Sequence, residues 1–94
     1  MPRLSDEALH AALTRLVGWE VGAGALVKGY SFGTFPEAVA FVTRVAALAE
    51  AAAHHPDVDI RYTTVTMRLS THSEGGITER DVALAREIDG VVAP

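Results

Sequence analysis

Three of the four histidines in the chain lie near the ends of predicted elements, where side chains can take part in chemistry. His54 and His55 are adjacent and precede Pro56, whereas His72 follows a stretch of alternating β-type residues. Glu50 lies four residues before His54, which is about one helical turn, so its carboxylate and that imidazole would share a helix face. Imidazoles change charge near neutral pH, so three of them with a carboxylate form a set of groups that can transfer protons.

The same residues allow two other interpretations. Histidines at a helix C-terminus compensate the negative end of the helix dipole, and a proline after them ends the helix. Two or three imidazoles with a carboxylate could also bind zinc, although the neighbouring His54 and His55 do not converge well on one ion. From the residues alone, proton transfer, helix capping and metal binding all remain open. His10 has no acidic or histidine neighbour at turn spacing and is interpreted as a surface residue.

A first helix and a β-hairpin are predicted in the N-terminal third of the chain, ahead of these residues. Ser5 is a favourable N-cap, and apolar residues recur at helical spacing up to Gly18, whose left-handed conformation would end the helix. The turn Gly22-Ala23-Gly24 separates residues 19–21 from residues 25–32 and favours two antiparallel strands. The apolar positions are Leu9, Ala12, Leu13 and Leu16 on the helix, and Leu26, Tyr30 and Phe32 on one face of the second strand.

A longer helix over residues 35–53 carries Glu50 and leads to the histidine pair. Thr34 and Glu37 have the spacing of a capping box, in which the threonine caps the helix and the glutamate reaches back to it. Pro36 is tolerated in the first turn, and Pro56 ends the helix. Its expected apolar stripe consists of Val39, Val42, Ala46 and Ala49, beside Phe41, Val45 and Leu48.

A β-rich stretch over residues 58–71 places His72, and its apolar positions change phase midway. Val58, Ile60 and Tyr62 are even-numbered, whereas Val65, Met67 and Leu69 are odd-numbered. A two-residue turn at Thr63-Thr64 would explain the change, and a bulge in one longer strand is the alternative.

The third predicted helix follows a glycine-containing loop. Thr78 is its cap, Glu79 and Asp81 place negative charge in its first turn, and Gly90 lies just past its end. The elements together predict one α+β domain over residues 1–94 in the order α-β-β-α-β-β-α. We expect an antiparallel four-stranded sheet with the helices packed on one face.

The composition excludes several classes of function. The 94 residues include no cysteine, which rules out a disulfide framework, a thiolate metal site and a thiol nucleophile. Eight basic and twelve acidic residues give a net charge of −4, and without a basic run there is no surface suited to phosphate contacts. No apolar run approaches the roughly 18 residues of a membrane span, and no signal peptide is recognisable. We therefore expect a cytoplasmic protein that binds neither nucleic acid nor membrane.

A long pattern of residue types at fixed spacing runs through the candidate site. Glu50 is followed after three residues by His54-His55-Pro56, after five more by Tyr62, after nine by His72 and after eight by Asp81. In this pattern the sequence resembles the pterin-4a-carbinolamine dehydratase family, also known as a dimerisation cofactor of a homeodomain transcription factor. The resemblance spans nearly the whole chain.

The resemblance implies a dehydratase (hydro-lyase) that acts in tetrahydrobiopterin regeneration. Such an enzyme removes the 4a-hydroxyl group of 4a-hydroxytetrahydrobiopterin as water and leaves quinonoid dihydropterin, with no metal and no cofactor. The reaction needs an acid for the departing hydroxyl and a base for the proton on the adjacent ring nitrogen. By resemblance the catalytic residues are His54, His55, His72 and Glu50, with His54 and His72 preferred for acid–base work and His55 for holding the ring.

Three further residues are implied as substrate-binding groups. Trp19 would form part of the pterin pocket wall, and Ser70 and Thr71 would offer backbone groups to the amide edge of the pterin. By residue type alone, Trp19 could instead be a core residue, because large aromatic side chains are usually buried.

The resemblance also implies self-association, as a homodimer or homotetramer. The eight alanines of the second helix could form a close-packed interface, or could serve only helix propensity. Members with this fold can also act as binding proteins that stabilise the assembly of a partner, with the dehydratase activity vestigial or absent. That non-catalytic role is the alternative function for this chain.

Overall fold

Three α-helices and four strands follow one another in the predicted order in the computed structural model, which describes residues 2–92. The α+β class is confirmed; residues 1, 93 and 94 of the predicted 1–94 domain lie outside the described residues. None of the helices within residues 2–92 is both long enough and apolar enough to cross a membrane. The elements are α1 (Asp6–Leu13), β1 (Glu20–Gly22), β2 (Ala25–Ser31), α2 (Phe35–Ala52), β3 (Asp57–Arg61), β4 (Thr64–Leu69), a 3₁₀ turn (His72–Glu74) and α3 (Glu79–Val92).

The four strands form one antiparallel sheet in the order β1-β2-β4-β3. Because side chains alternate along a strand, one face of the sheet is apolar, and it packs against α2 and α3, as predicted. The other face carries the partly exposed Val27, Thr66 and Arg68. The buried core contains Leu26, Tyr30, Val65, Met67 and Leu69 from the sheet, with Phe41, Val45, Val82 and Ile88 from the two helices.

The buried face of α2 agrees with the predicted apolar residues at Phe41, Val45 and Ala49, but not at Val39 and Ala46. The residues of α2 that are buried are Ala38, Phe41, Val45 and Ala49, whereas Val39 keeps 39% of its surface exposed and Ala46 is also exposed. Apolar residues run along two sides of this alanine-rich helix, so both stripes have helical spacing. Packing against the sheet buries one of these two stripes, and helical periodicity alone does not show which one.

The start of α1 and the start of α2 agree with their predicted caps. The Ser5 hydroxyl accepts a hydrogen bond from the Ala8 N–H at 3.1 Å, and the Thr34 hydroxyl accepts one from the Glu37 N–H at 3.2 Å. The Glu37 carboxylate does not return to Thr34, however; it accepts from the Gly33 N–H at 3.2 Å, one residue earlier.

Two predicted helix ends are wrong. α1 ends at Leu13, before the predicted end at Gly18. The next residues form tighter turns, in which an N–H donates to the carbonyl three residues earlier, and Leu16 is buried in the core. Gly18 does have the left-handed conformation, after these turns. Gly90 lies inside α3. Glycine costs a helix only about 1 kcal/mol, and α3 continues past it because Ile88 and Val91 pack against the core.

The phase change before His72 is a two-residue turn, one residue earlier than predicted. Arg61 is paired with Thr64, so the turn consists of Tyr62 and Thr63. Tyr62 takes a left-handed conformation with φ 58°. Such φ values match the twist of hairpin strands, so the two-residue loop forms despite the absence of glycine.

Candidate active site

The end of α2 determines where the two adjacent histidines point. Ala53 is left-handed (φ 50°, ψ 41°), its N–H donates to the Glu50 carbonyl at 3.2 Å, and the His54 N–H donates to the Ala49 carbonyl at 3.1 Å. These bonds form a Schellman motif, which satisfies carbonyls at the helix end and reverses the chain. As a result His54 turns inward and is 8% exposed, whereas His55 remains on the surface.

Glu50 pairs with His55 and not with His54, contrary to the helical spacing argument. The Glu50 Oε2 atom lies 2.5 Å from His55 Nε2, and both side chains are mostly exposed. The prediction assumed that the helix continues through His54. Because Ala53 leaves the helix, His54 rotates away from the Glu50 face and His55 takes its place.

The partner of His54 is Asp81, in the first turn of α3. Asp81 is 0% exposed, and its Oδ1 atom lies 2.5 Å from His54 Nε2. Its Oδ2 atom accepts from the Thr71 hydroxyl and from the Thr78 N–H, each at 2.9 Å. A buried carboxylate needs such partners, because an unpaired charge is costly away from water.

Sequence reasoning missed Asp81 as a site residue. Its position in the first turn predicts a charge that favours the start of α3, and its carboxylate does cap that helix by accepting from the Thr78 N–H. The signal that could have identified it is its position as the last element of the spaced pattern, separated from His72 by eight residues.

The three predicted histidines line one cleft of about 370 Å³. His54 is buried against Asp81, and His72 is an exposed residue at the start of the 3₁₀ turn. Arg80 supports the wall near the histidine pair by donating to the Ala53 carbonyl at 2.8 Å. The other lining residues include Pro56, Asp57, Ser70, Thr71 and Ser73.

Of the two predicted backbone contributors, Thr71 is already engaged within its loop. Its N–H donates to the Gly76 carbonyl at 2.8 Å, and its carbonyl accepts from the Glu74 N–H at 3.0 Å. A ligand that accepts from the Thr71 N–H would therefore have to displace the Gly76 carbonyl. Ser70 is half-buried at the cleft.

Trp19, predicted as a pocket wall, does not line the histidine cleft. It is 5% exposed and belongs to the core, with its ring Nε1–H donating to Asp89 Oδ2 at 3.1 Å. The Asp89 Oδ1 atom accepts from the Tyr30 hydroxyl at 2.6 Å and from Lys28 Nζ at 2.8 Å. Burial, together with the hydrogen bond to Asp89 and its negative charge, raises the pKa of Tyr30 well above its ordinary range. The alternative interpretation of Trp19 as a core residue is the one that the structure supports.

Metal binding receives no geometric support within residues 2–92. In that part of the chain no three His, Asp or Glu side chains lie close enough together to hold an ion. Two of the cleft histidines are each paired with one carboxylate outside the cleft lining, His54 with Asp81 and His55 with Glu50. Pairs of this kind orient imidazoles for proton transfer.

Known proteins resemble this chain over almost its whole length. A model of the family "Pterin 4 alpha carbinolamine dehydratase" matches residues 2–91. A Mycolicibacterium vanbaalenii protein named "Putative pterin-4-alpha-carbinolamine dehydratase" is 53% identical over 92 residues, which are 98% of this chain and 99% of that one. A Thermomicrobium roseum protein of the same name is 54% identical over 88 residues, 94% of this chain and 95% of that one.

Two solved structures are similar to this chain in fold. One is a transcriptional coactivator/pterin dehydratase from Brucella melitensis, with a TM-score of 0.92, 34% identity, and coverage of 97% of this chain and 99% of that chain. The other is a pterin dehydratase-like protein described as a RuBisCO assembly factor in the alpha-carboxysome. It has a TM-score of 0.65 and 26% identity, and the match covers 80% of this chain and 87% of that one.

Proposed function

Since the chain belongs to the pterin-4a-carbinolamine dehydratase family, we propose that it is a hydro-lyase that converts 4a-hydroxytetrahydrobiopterin into quinonoid dihydropterin and water, in tetrahydrobiopterin regeneration. The observation that carries the proposal is the buried His54–Asp81 pair in a cleft that also contains His55 and His72. The cleft volume of about 370 Å³ falls within the range of small-molecule sites, about 300–1,000 Å³.

The reaction breaks two bonds, from carbon 4a to the hydroxyl oxygen and from ring nitrogen 5 to its proton. An ionised carboxylate only accepts hydrogen bonds, so neutral His54 carries its proton on Nε2, toward Asp81. Its Nδ1 atom is then unprotonated and suited to take the proton from nitrogen 5, while the new double bond forms to carbon 4a. His72 donates a proton to the departing hydroxyl, which leaves as water.

The remaining cleft residues bind and orient the substrate in this proposal. His55, held by Glu50 at 2.5 Å, would contact the pterin ring, and backbone groups of Ser70 and Thr71, which line the cleft, would bind its polar edge. The proton transfers use side chains of this chain alone and require neither a metal nor a cofactor.

The test is turnover of freshly generated carbinolamine by the pure protein. We expect the decay of its absorbance to accelerate in proportion to enzyme concentration, and to be unchanged after exhaustive chelation. Loss of activity on chelation with recovery on adding zinc would assign the site to metal chemistry. Identical decay with and without folded protein would refute the dehydratase proposal.

A second candidate is a non-catalytic protein that stabilises the assembly of a partner. The observation in its favour is the structural likeness to the pterin dehydratase-like RuBisCO assembly factor. The presence of His54, His55, His72 and Glu50 favours the enzyme, because an assembly factor needs no proton-transfer groups. Folded protein without turnover would select the second candidate.

A further inference from the structure

A buried network of hydrogen bonds extends from the His54–Asp81 pair to Thr71, which lines the cleft, and to Thr78. The hydroxyl oxygens of Thr78 and Thr71 are 2.8 Å apart, and the Thr71 hydroxyl reaches Asp81 Oδ2 at 2.9 Å. Thr78 and Asp81 are 0% exposed and Thr71 is 4% exposed. These contacts join the loop after β4, the first turn of α3 and the end of α2 in one connected network.

The hydrogen bonds of this network can run in one direction only, from donor to acceptor. A carboxylate only accepts hydrogen bonds, so the Thr71 hydroxyl donates its single proton to Asp81. The Thr71 oxygen must then accept from the Thr78 hydroxyl, which in turn accepts from the Arg80 N–H at 3.2 Å. Each hydroxyl therefore donates once and accepts once, and neither can reverse without leaving a buried group unpaired.

The arrangement gives the two oxygens of Asp81 different roles. Oδ2 has two donors, the Thr71 hydroxyl and the Thr78 N–H. Oδ1 faces His54 Nε2 at 2.5 Å. With Oδ2 occupied, the carboxylate cannot rotate without breaking two buried hydrogen bonds, so Oδ1 stays aimed at the imidazole.

We propose that Thr71 and Thr78 are positioning residues, which act through Asp81 to hold the proton of neutral His54 on Nε2 and to keep Nδ1 as the proton acceptor in the cleft. Without the hydroxyl of Thr71, Oδ2 loses one donor, the carboxylate turns, and His54 can adopt either tautomer. The catalytic consequence rests on the proposed dehydratase function, whereas the effect on the tautomer does not.

The test compares Thr71→Val, which removes the hydroxyl at nearly constant shape, with Thr71→Ser, which retains it. Nitrogen-15 NMR of the imidazole, with the His54 signals assigned from their loss in His54→Gln, reports the tautomer directly. We expect one Nε2–H form in the unaltered protein, a mixture of tautomers in Thr71→Val, and recovery in Thr71→Ser. The kcat of Thr71→Val should fall roughly 10- to 100-fold with KM unchanged. A ligand-binding role for the Thr71 hydroxyl, as distinct from its backbone, would instead raise KM.

Thr66→Val is the matched control, because Thr66 lies on β4 on the open face of the sheet. It should change neither the His54 signals nor kcat. Thr78→Val is less informative, since the Thr78 hydroxyl also accepts from the Arg80 N–H at the start of α3. If Thr71→Val does not fold, Thr71→Ala removes the same hydroxyl with a smaller side chain and should give the same mixture.

A folded variant without the Thr71 hydroxyl that keeps the single Nε2–H form and the original kcat would overturn the proposal. Absence of turnover in the unaltered protein, with the tautomer still dependent on Thr71, would refute the dehydratase function and leave the positioning role intact. Normal turnover in the unaltered protein, with a His54 tautomer that does not depend on Thr71, would support the dehydratase function and refute the positioning role.

Discussion

His54 differs from the other histidines in being buried against a carboxylate that is itself buried. The His55–Glu50 pair has the same 2.5 Å separation, but the two side chains are 62% and 78% exposed. Exposed pairs contribute little, because water competes for both partners and the side chains lose entropy on pairing. Proton transfer needs a fixed geometry, so the exact placement of His54 should matter more than that of His55.

Replacing the proposed acid and base tests the roles of the histidines. We expect His54→Ala and His72→Ala each to lower kcat by roughly two to four decades, the usual range for a positioned acid or base. His54→Ala also leaves Asp81 Oδ1 without its partner and should cost about 1–3 kcal/mol of stability. His10→Ala is the control, since His10 is exposed on α1. If both variants remain folded and keep near-original turnover, the assigned roles are wrong.

Asp81→Asn tests the carboxylate at almost constant size. A carboxamide that turns its NH₂ group toward His54 forces the imidazole into the Nδ1–H tautomer, which removes the base from the cleft. We expect a loss in kcat of about 10²–10⁴ with the fold retained. Asp59→Asn, on the exposed strand β3, should be neutral. Equal activity of the two variants would show that the Asp81 charge is not required.

At the scale of elements, the left-handed Ala53 both ends α2 and directs His54 inward. The left-handed conformation costs free energy in a residue with a Cβ atom, because that atom lies too close to the backbone, whereas glycine has no such penalty. We expect Ala53→Gly to raise the free energy of unfolding by about 0.5–1 kcal/mol. Ala47→Gly, at an exposed position inside the helix, should lower it by about 0.8–1 kcal/mol. Urea unfolding measures both, and a decrease for Ala53→Gly would contradict the strain argument.

Hydrogen bonds from Lys28 and Tyr30 on β2 to Asp89 on α3 connect the two elements. The Tyr30 contact predicts that the stability of the fold decreases at alkaline pH. Burial and Asp89 raise the pKa of Tyr30 above its ordinary value, so the folded protein keeps a proton that the unfolded chain loses above about pH 10. The stabilisation is complete below that pH and should decline above it by about 1.4 kcal/mol per pH unit. Denaturant unfolding between pH 8 and about pH 11 should show this slope.

Tyr30→Phe has no such proton to lose, so its stability should decline less steeply over the same pH range. Tyr62→Phe, in an exposed turn with Tyr62 80% exposed, should follow the unaltered protein. If the free energy of unfolding falls equally steeply with pH in Tyr30→Phe and in the unaltered protein, Tyr30 does not cause the loss of stability at alkaline pH.

At the scale of the whole molecule, the monomer leaves several large apolar side chains in water. Phe35 and Val39 on α2 are 49% and 39% exposed, and Val58 and Ile60 on β3 are 41% and 38% exposed. Closed symmetry is the usual form of homo-oligomers, and we expect a homodimer or homotetramer that covers part of this surface.

Charge introduced on α2 tests the assembly. Ala47→Glu and Val39→Glu place a carboxylate on two exposed sides of the helix, and the one on the interface should lower the mass in solution. Arg44→Glu, which only reverses an existing exposed charge, should have little effect. Light scattering at micromolar concentration measures the mass, and a monomeric unaltered protein would end the argument for assembly.

The sequence by itself determined the features that depend on residues within a turn or two of one another. Ser5 and Thr34 cap their helices through bonds to residues three positions away, and alternation identified the apolar face of β2. These signals are local, because caps, turns and alternation involve near neighbours in the chain. The spaced pattern from Glu50 to Asp81 likewise indicated the family without any structure.

Only the tertiary structure decided which partners the functional side chains have. His54 meets Asp81 across 27 positions, and Trp19 meets Asp89 across 70. Such contacts depend on how the elements pack, so neither the turn spacing of Glu50 and His54 nor the composition of α2 could specify them. Packing also chose the buried face of α2, because two apolar stripes with the same period compete and only the position of the sheet separates them.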